Sequence, residues 1–233
     1  MKNKIAAIIL ARSGSVGLKN KNILKLGGVP LIAHTIKLLK GVKKIDKIFV
    51  STDSNKIAKI SKKYGAEVPF LRPKNLSKNN STSEEALYYT VRNIKKKKIF
   101  DPSLIVYSQI TEPFKTSKII SKAIDILQKK KLDSVFTAKP YKKNIWYKKK
   151  RKYLRLNGFE KYGLPRQKKF KLFREDTGVV CVSKTKVILS KKRIGKKIEI
   201  LPYENAFDYI DIHSKEDLIL ANLIIKKKLF VFK

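Results

Sequence analysis

The sequence predicts an α/β fold of the Rossmann-like kind, with a mostly parallel sheet flanked by helices and a small β-hairpin insertion for dimerisation. Two patterns carry this prediction. Short β-branched apolar runs alternate with helical segments, which is typical of a parallel sheet with helices on both faces. The alternation is lost at about residues 139–167 and then resumes. At 233 residues the chain can bury a core of its own, so we predict a single domain over residues 1–233 with that insertion.

The first elements follow directly from local patterns. Residues 5–10 form an apolar run that reads as a buried strand, and a second such run covers residues 47–51. Residues 30–39 predict a helix with proline in its first turn, where its missing N–H is tolerated. Residues 54–64 predict a helix that ends at Gly65, a residue suited to the left-handed conformation of a helix C-terminus.

The later elements continue the same rhythm. A helix is expected to begin at Ser81-Thr82-Ser83-Glu84-Glu85, which resembles a capping box. In the insertion, a basic and aromatic composition with Trp146, Tyr147 and Tyr153 and an expected turn at Asn157-Gly158 predict a β-hairpin. The aromatic side chains there cannot all reach the core of one domain, so we expect a homodimer. The remaining predictions are helices at 81–94, 117–128 and 215–225 and strands at 104–108, 134–138 and 179–183.

The charge of the chain is strongly positive. Lysine and arginine number 56 against 18 aspartate and glutamate, a net charge of +38. Clustered cations of this kind can bind nucleic acid. Here the lysines are spread over every segment, and only residues 142–155 interleave them with aromatic side chains. A diffusely basic surface that attracts anionic substrates is therefore the preferred interpretation, and an RNA-binding protein is the alternative from another class.

The cellular compartment is predicted from three features that the sequence lacks: an internal disulfide, a secretory signal and a membrane helix. The single Cys181 excludes an internal disulfide. The apolar run at residues 5–11 is short and leads into Arg12 with no cleavage pattern, which favours a buried strand over a secretory signal. No stretch approaches the roughly 18 apolar residues of a membrane helix. We expect a soluble, cytoplasmic protein with no membrane partner.

A small-residue loop directly follows the first strand, at residues 10–22. Its glycines and serines let the backbone approach a ligand, and successive N–H groups can form an anion nest. Arg12 and Lys21 bracket the loop and could neutralise a triphosphate. The loop lacks the Gly-Lys-Ser/Thr of a P-loop and the three glycines of a dinucleotide fingerprint. From composition alone, a flexible loop with solvated cations remains the alternative.

The loop resembles the signature of the CMP-sialic-acid synthetase (acylneuraminate cytidylyltransferase) family, in which Ala-Arg-x-Gly-Ser-Lys-Gly precedes Lys-Asn. The resemblance implies that the loop wraps the phosphates of CTP, with Arg12 and Lys21 as the cationic, catalytic contacts. Val16 departs from the family's lysine, and Lys19 could replace that contact. Residues 50–53 and 71–73 also resemble family segments. The implied nucleotide-binding residues are Leu10, Ala11, Arg12, Gly14, Ser15, Lys21 and Asn22.

Further segments resemble the family's sugar-binding parts. Residues 108–115 are similar to its Leu-Gln-Pro-Thr-Ser-Pro-Leu-Arg, so Gln109 is the implied sugar contact. Residues 165–167 and 173–178 are similar to its Arg-Gln and Arg-x-Asn-Gly segments. Arginine is a planar bidentate donor suited to a carboxylate. The implied substrate-binding residues are Gln109, Arg166, Gln167, Arg174 and Asp176, the last standing near the family's usual asparagine.

A segment before the last helix resembles the family's metal-binding Asp-Ile-Asp. Asp211 matches its first carboxylate, whereas His213 replaces the second. The implied cofactor is Mg²⁺, or Mn²⁺, for which imidazole is the better ligand. A polar cap of the following helix is the alternative role for His213.

The resemblance implies the transfer of CMP from CTP to the anomeric hydroxyl of a nine-carbon sugar acid, with release of pyrophosphate. No side chain stands out as a general base. N-acetylneuraminic, legionaminic and pseudaminic acids all remain open as substrates. The nearest alternative is a nucleotidyltransferase that uses a sugar 1-phosphate. The partners expected are CTP, a sugar acid and a second copy of the chain.

Overall fold

The first strand explains why the sheet is central to the molecule. In the computed structural model, which describes residues 3–15, 17–141, 145–156, 172–207, 209–230 and 232, strand β1 (Ile5–Leu10) is buried over nearly its whole length. A strand made only of apolar residues must be covered on both faces. Alternate side chains of β1 accordingly enter two separate apolar clusters. Ile5, Ala7 and Ile9 join one, while Ala6 and Ile8 join the other.

The elements follow the predicted alternation. In the first half they are β1, β2 (Lys25–Leu26), β3 (Val29–Pro30), α1 (Leu31–Lys40), β4 (Lys47–Ser51), α2 (Asn55–Lys63), α3 (Ser83–Lys96), β5 (Leu104–Tyr107) and α4 (Ser117–Lys130). In the second half they are β6 (Ser134–Tyr141), β7 (Trp146–Lys149), β8 (Lys152–Arg155), β9 (Leu172–Glu175), β10 (Cys181–Lys184), α5 (Thr185–Leu189), β11 (Ile198–Pro202) and α6 (Lys215–Lys226).

The main sheet has seven strands, in the order β11-β6-β10-β5-β1-β4, with β9 beside the outer part of β6. Strands β4, β1 and β5 are parallel, and β11 is parallel to β6. Strand β10 lies antiparallel between β5 and β6, so those two neighbours point the same way. Five strands therefore share one direction, and the predicted mostly parallel sheet is confirmed.

Helices cover both faces of the sheet, as predicted. Residues of α1, α2, α4 and α6 belong to the cluster that contains Ile5, and residues of α3 and α5 belong to the other. Local capping agrees with the sequence. The capping box of α3 uses Thr82 and Glu85, and Gly65 follows α2 with a positive φ of 94°. Strand β11 and helix α5 were not predicted, because β11 is only partly buried and α5 has a single turn.

The insertion contains a β-hairpin built from β7 and β8, which pair from Trp146↔Arg155 to Lys149↔Lys152. Its turn lies at Lys150 and Arg151, with Lys150 in the left-handed region. The turn predicted at Asn157-Gly158 lies outside the described residues. Trp146, Tyr147 and Tyr153 are all exposed. Among the helices in the part of the chain that the structure describes, none is long and apolar enough to cross a membrane.

Candidate active site

The site lies where parallel strands end together. The carboxyl ends of β4, β1 and β5 meet at one edge of the sheet, which is where open α/β sheets bind ligands. Each of these strands leads into a loop that carries polar side chains, at residues 11–20, 52–54 and 108–116. The predicted phosphate loop and the Gln109 segment are thus brought side by side.

Hydrogen bonds from neighbouring elements hold the loop after β1. Ala11 N–H donates to the carbonyl of Ser51 at 3.0 Å. Ser13 donates from its backbone N–H and from its hydroxyl to the two carboxylate oxygens of Asp53, at 2.8 and 2.5 Å. The buried side-chain amide of Asn22 donates to the carbonyl of Arg12 at 2.9 Å. Asn22 therefore braces the loop through the backbone of a predicted phosphate ligand.

A cavity of about 410 Å³ opens between this loop and the N-terminus of α3. Ala11 is fully buried behind the loop, while Gly14 is exposed and open space surrounds it. A Cβ atom on Gly17 would lie 2.8 Å from the carbonyl oxygen of His213, so glycine allows the loop to approach that segment. The predicted nucleotide-binding residues that line the cavity are Leu10, Arg12, Ser15, Lys21 and Asn22.

The arginine and lysine residues that line the first cavity are Arg12, Lys21, Arg72 and Lys78. Arg12 donates from Nη1 to the carbonyl of Lys78 at 2.8 Å, which fixes its guanidinium at the rim. Lys21 lies deeper, and burial lowers its pKa against the opposing effect of Asp211. A third cation, Arg72, is only 4% exposed. Together they give the cavity a positive potential suited to a polyanion.

Arg72 was not singled out from the sequence as a binding residue. Its Nε donates to the hydroxyl of Ser77 at 3.0 Å, whereas its Nη1 is buried without a hydrogen-bond partner among the described residues. Burial lowers the pKa of its guanidinium, which Asp53 partly offsets. A buried donor with no acceptor in the protein can be satisfied by a ligand. Arg72 belongs to the segment at 71–73, whose likeness to the family was the only signal available.

A second cavity of about 340 Å³ adjoins the first, and Gln109 lines both. Its wall brings together side chains from the loop after β5, from β6, from β9 and the residues after it, and from the segment before α6. They include Gln109, Glu112, Lys139, Arg174, Asp176 and Asp211. The predicted substrate residues Gln109, Arg174 and Asp176 are therefore neighbours. Arg166 and Gln167 lie outside the described residues.

Buried charges support the floor of the second cavity. The ammonium of Lys115, 1% exposed, donates to the carbonyls of Gln109 and Gly178. Burial lowers the pKa of Lys115, while Glu112 opposes the shift. Burial likewise raises the pKa of Glu112, which Lys115 opposes and Asp176 reinforces. Neither Glu112 nor Lys115 was predicted as a site residue, because their burial depends on contacts between distant segments.

The predicted metal residues lie between the two cavities. His213 Nε2 is 2.8 Å from Asp211 Oδ2, and His213 Nδ1 is 3.2 Å from Lys21 Nζ. Both ring nitrogens are therefore engaged by protein groups. Asp211 Oδ1, by contrast, is buried and has no partner in the described chain. That oxygen fits a hard cation, although no group of three potential ligands lies together in the described residues.

Backbone contacts fix the segment that carries these two residues. Ile212 N–H donates to the carbonyl of Thr111 at 2.8 Å, which ties the segment to the loop after β5. Ser214 and Asp217 form a capping box at the start of α6, and Asp217 also accepts from His213 N–H at 2.9 Å. The polar cap considered for His213 is thus made by its backbone, while its ring faces Asp211 and Lys21.

Comparison with known proteins agrees with this geometry. A family model described as cytidylyltransferase matches residues 6–177. An N-acylneuraminate cytidylyltransferase of Escherichia coli O18:K1:H7 is 37% identical over 128 residues, covering 55% of this chain and 29% of that protein. A CMP-N,N'-diacetyllegionaminic acid synthase of Legionella pneumophila is 37% identical over 123 residues, covering 53% of each chain.

A longer match joins the chain to a Helicobacter pylori protein named as a pseudaminic acid cytidylyltransferase and sugar-nucleotide hydrolase. It is 28% identical over 207 residues, covering 85% of this chain and 39% of that protein. The matched part thus spans between about a third and a half of these curated relatives.

Solved structures agree on the fold. A CMP:2-keto-3-deoxy-manno-octonic acid synthetase complexed with CTP superposes with a TM-score of 0.71 at 11% identity, covering 97% of this chain and 99% of the other. A 4-diphosphocytidyl-2C-methyl-D-erythritol synthase of Anaerococcus prevotii gives a TM-score of 0.67 at 18% identity, covering 97% of both chains. The match to the family model shows that the chain belongs to the cytidylyltransferase family, and its relatives are of the acylneuraminate type that the motifs predicted.

Proposed function

We propose that the protein transfers CMP from CTP to the anomeric hydroxyl of a nine-carbon, sialic-acid-like sugar acid and releases pyrophosphate. The observation that carries this proposal is the pair of adjoining cavities that share Gln109. One is rimmed by Arg12, Lys21 and Arg72, and the other contains Arg174. Relatives named for N-acylneuraminate, pseudaminic acid and diacetyllegionaminic acid support this class of acceptor.

The first cavity would hold CTP. Arg12 and Lys21 would bind the triphosphate and stabilise the negative charge that develops on the leaving pyrophosphate. Ser15 and the backbone of the loop would supply further donors. Arg72 lies against the wall formed by residues 76–83, and its free Nη1 would donate to an acceptor of the nucleotide. This arrangement would place the α-phosphorus close to the shared Gln109.

The second cavity would hold the sugar acid. Gln109 would orient the anomeric end, and Arg174 would bind the carboxylate through a bidentate contact. Arg166 and Gln167 belong to the same proposal through their family resemblance. The anomeric oxygen attacks the α-phosphorus and a new C–O–P linkage forms, while the hydroxyl proton passes to solvent. The bond from the α-phosphorus to the bridging oxygen breaks, and that oxygen leaves with pyrophosphate. Alignment of the two substrates would provide much of the acceleration.

We propose Mg²⁺ as the cofactor, with Mn²⁺ as a substitute. Asp211 would hold the ion through Oδ1, together with phosphate oxygens of the nucleotide. When bound, such an ion neutralises phosphate charge and favours departure of pyrophosphate. His213, whose ring contacts Asp211 and Lys21, would orient both residues in the arrangement described above. As a direct ligand it would first have to release one of these contacts.

We also propose that the active form is a homodimer that works in the cytoplasm, where CTP is made. The exposed aromatic side chains of the β7–β8 hairpin support a dimer, because an isolated two-stranded hairpin has little stability of its own. A partner surface would cover Trp146 and Tyr153.

One assay tests the reaction. Pyrophosphate release is measured with CTP, UTP, ATP and GTP, each beside N-acetylneuraminic, legionaminic and pseudaminic acids and a sugar 1-phosphate. We expect release with CTP and at least one of the acids. Equal or faster release with UTP would refute cytidylyl transfer. Release only with the sugar 1-phosphate would establish the alternative nucleotidyltransferase.

A further inference from the structure

A buried carboxyl group in the second cavity has an oxygen that no described residue reaches with a hydrogen-bond donor. Glu112 is 9% exposed and lines the cavity, its side chain contacts that of Asp176, and its Oε2 atom receives no hydrogen bond from the described residues. A buried acceptor left without a donor destabilises a fold, so native proteins seldom keep one without a reason. The position of Glu112 at the floor of a binding cavity supplies such a reason.

The surrounding structure makes room for this carboxylate. Gly178 lies against Glu112, and a Cβ atom at that position would overlap Glu112 Oε1. Gly178 is itself fixed by its carbonyl, which accepts from Gln109 N–H at 2.8 Å. Glu112 also stands where the family segment Leu-Gln-Pro-Thr-Ser-Pro-Leu-Arg has serine. The long acidic side chain of Glu112 is accommodated by a glycine beside Gln109.

The charges around Glu112 indicate which chemistry could satisfy it. Lys115 lies beneath it and offsets its charge, and Asp176 is paired with Lys139 at 3.0 Å. An additional cation would find little uncompensated negative charge. A neutral O–H or N–H donor from the ligand fits best.

We propose that Glu112 is a specificity-determining residue, whose Oε2 accepts a hydrogen bond from a hydroxyl or an amide N–H of the sugar acid. The proposal rests on the proposed function, because it identifies the group of the sugar acid that the enzyme recognises. Sugar acids that present this donor over Glu112 are good substrates. Acids in which the same group is removed or masked are poor ones, because the carboxylate then stays buried and unpaired.

The test is a panel of sugar acids in which each donor is removed in turn. Hydroxyls are replaced by hydrogen or O-methylated, and acylamino groups are N-methylated, so that the two sources of the donor are distinguished. We expect one modification to lower kcat/KM roughly 10- to 100-fold in the parent enzyme, the range for leaving a buried polar group without its hydrogen bond. In Glu112→Ser the same modification should change kcat/KM by less than about threefold, within the variation expected of uncoupled sites.

Three further variants keep the test interpretable. Glu112→Met has a similar length but no acceptor oxygen, and it replaces Glu112→Ser if the latter does not fold, which thermal melting reports. Gly178→Ala should displace Glu112 and weaken the same discrimination. Glu67→Gln, a surface carboxylate paired with Lys47 at 2.5 Å, should keep the parental discrimination. Equal losses for every acid in Glu112→Ser, or unchanged discrimination, would overturn the proposal.

A wrong reaction assignment can be distinguished from a wrong role for Glu112. If no acid supports pyrophosphate release, the reaction assignment fails by itself. The same panel is then titrated calorimetrically against parent and Glu112→Ser. Loss of the parental preference for one donor in that variant supports the role of Glu112, and an unchanged preference or no binding of any acid refutes it.

Discussion

The imidazole of His213 joins Asp211 to Lys21. Its Nε2 lies 2.8 Å from Asp211 Oδ2, and its Nδ1 lies 3.2 Å from Lys21 Nζ. A neutral ring protonated on Nε2 satisfies both contacts, since it donates to the carboxylate and accepts from the ammonium. One oxygen of Asp211 remains free for a cation, while Lys21 remains directed at the phosphate cavity. Substitutions of Asp211 and His213 should therefore change metal binding and turnover.

Asp211→Asn should lower metal-dependent turnover by about 10²-fold or more, because the proposed Mg²⁺ loses its only protein carboxylate. His213→Asp should tighten Mg²⁺ binding, because a hard cation gains an anionic oxygen. Apparent affinities for Mg²⁺ and Mn²⁺ are measured for the parent and both variants. Asp125→Asn, an exposed carboxylate paired with Lys44, is the control. If Asp211→Asn is harmless and His213→Asp changes neither affinity, this segment serves only to cap α6.

Arg12→Ala and Lys21→Ala should each reduce turnover by about 10²-fold or more, as expected for the loss of one preorganised contact to developing charge. Steady-state rates with saturating CTP measure the effect, and circular dichroism checks the fold. Lys25→Ala removes an exposed lysine just beyond the loop and should behave like the parent. Near-parental rates for both site variants would show that phosphate binds elsewhere.

The dimer prediction concerns the hairpin. Replacing both Trp146 and Tyr153 by serine should shift the protein from dimer to monomer, because it removes the largest exposed aromatic surface of β7 and β8. Light scattering at micromolar concentration gives the mass. Leu229→Ser, which changes an exposed apolar side chain outside the hairpin, should leave the dimer intact. A parent that is monomeric and fully active would refute the role assigned to the insertion.

The free energy of unfolding should depend on pH through Glu112. Burial raises the pKa of Glu112 to about 8 from its ordinary value of 4.5, so between these pH values the folded state holds a proton that the unfolded state releases. Stability from this group is therefore full below the unfolded pKa and is lost as pH rises toward about 8. Glu112→Gln should flatten this decline and raise the melting temperature at pH 8 by about 2–4 °C, equivalent to about 1 kcal/mol. An unchanged pH profile in Glu112→Gln would contradict the burial argument.

Local patterns were enough to predict much of the fold. The apolar run of β1 and the loop after it predicted a strand that leads into a small-residue loop, and both are present. Capping residues similarly marked the start of α3. Strand β11 was missed because its exposed and half-buried residues give no clear period, and its place beside β6 is set by a distant partner.

The site was predictable only where a continuous motif carries it. Arg12 and Lys21 belong to one short loop, so the sequence places them together. The pairing of Glu112 with Lys115 beside Gly178 depends on burial and on segments more than 60 residues apart, which no local pattern reveals. The free Nη1 of Arg72 is likewise a property of the folded cavity. Charge alone was misleading, because a net +38 does not say which cations are buried.

The central claim is that the anomeric oxygen of a sugar acid attacks the α-phosphorus of CTP. It is tested most directly with a sugar acid that carries ¹⁸O at its anomeric hydroxyl, incubated with CTP, after which both products are analysed by mass spectrometry and ³¹P NMR. The account predicts that the label is retained in a CMP-sugar, on the oxygen bonded to phosphorus, and that pyrophosphate is unlabelled. Label in pyrophosphate, or a labelled sugar acid recovered unchanged while CTP is hydrolysed, would contradict it.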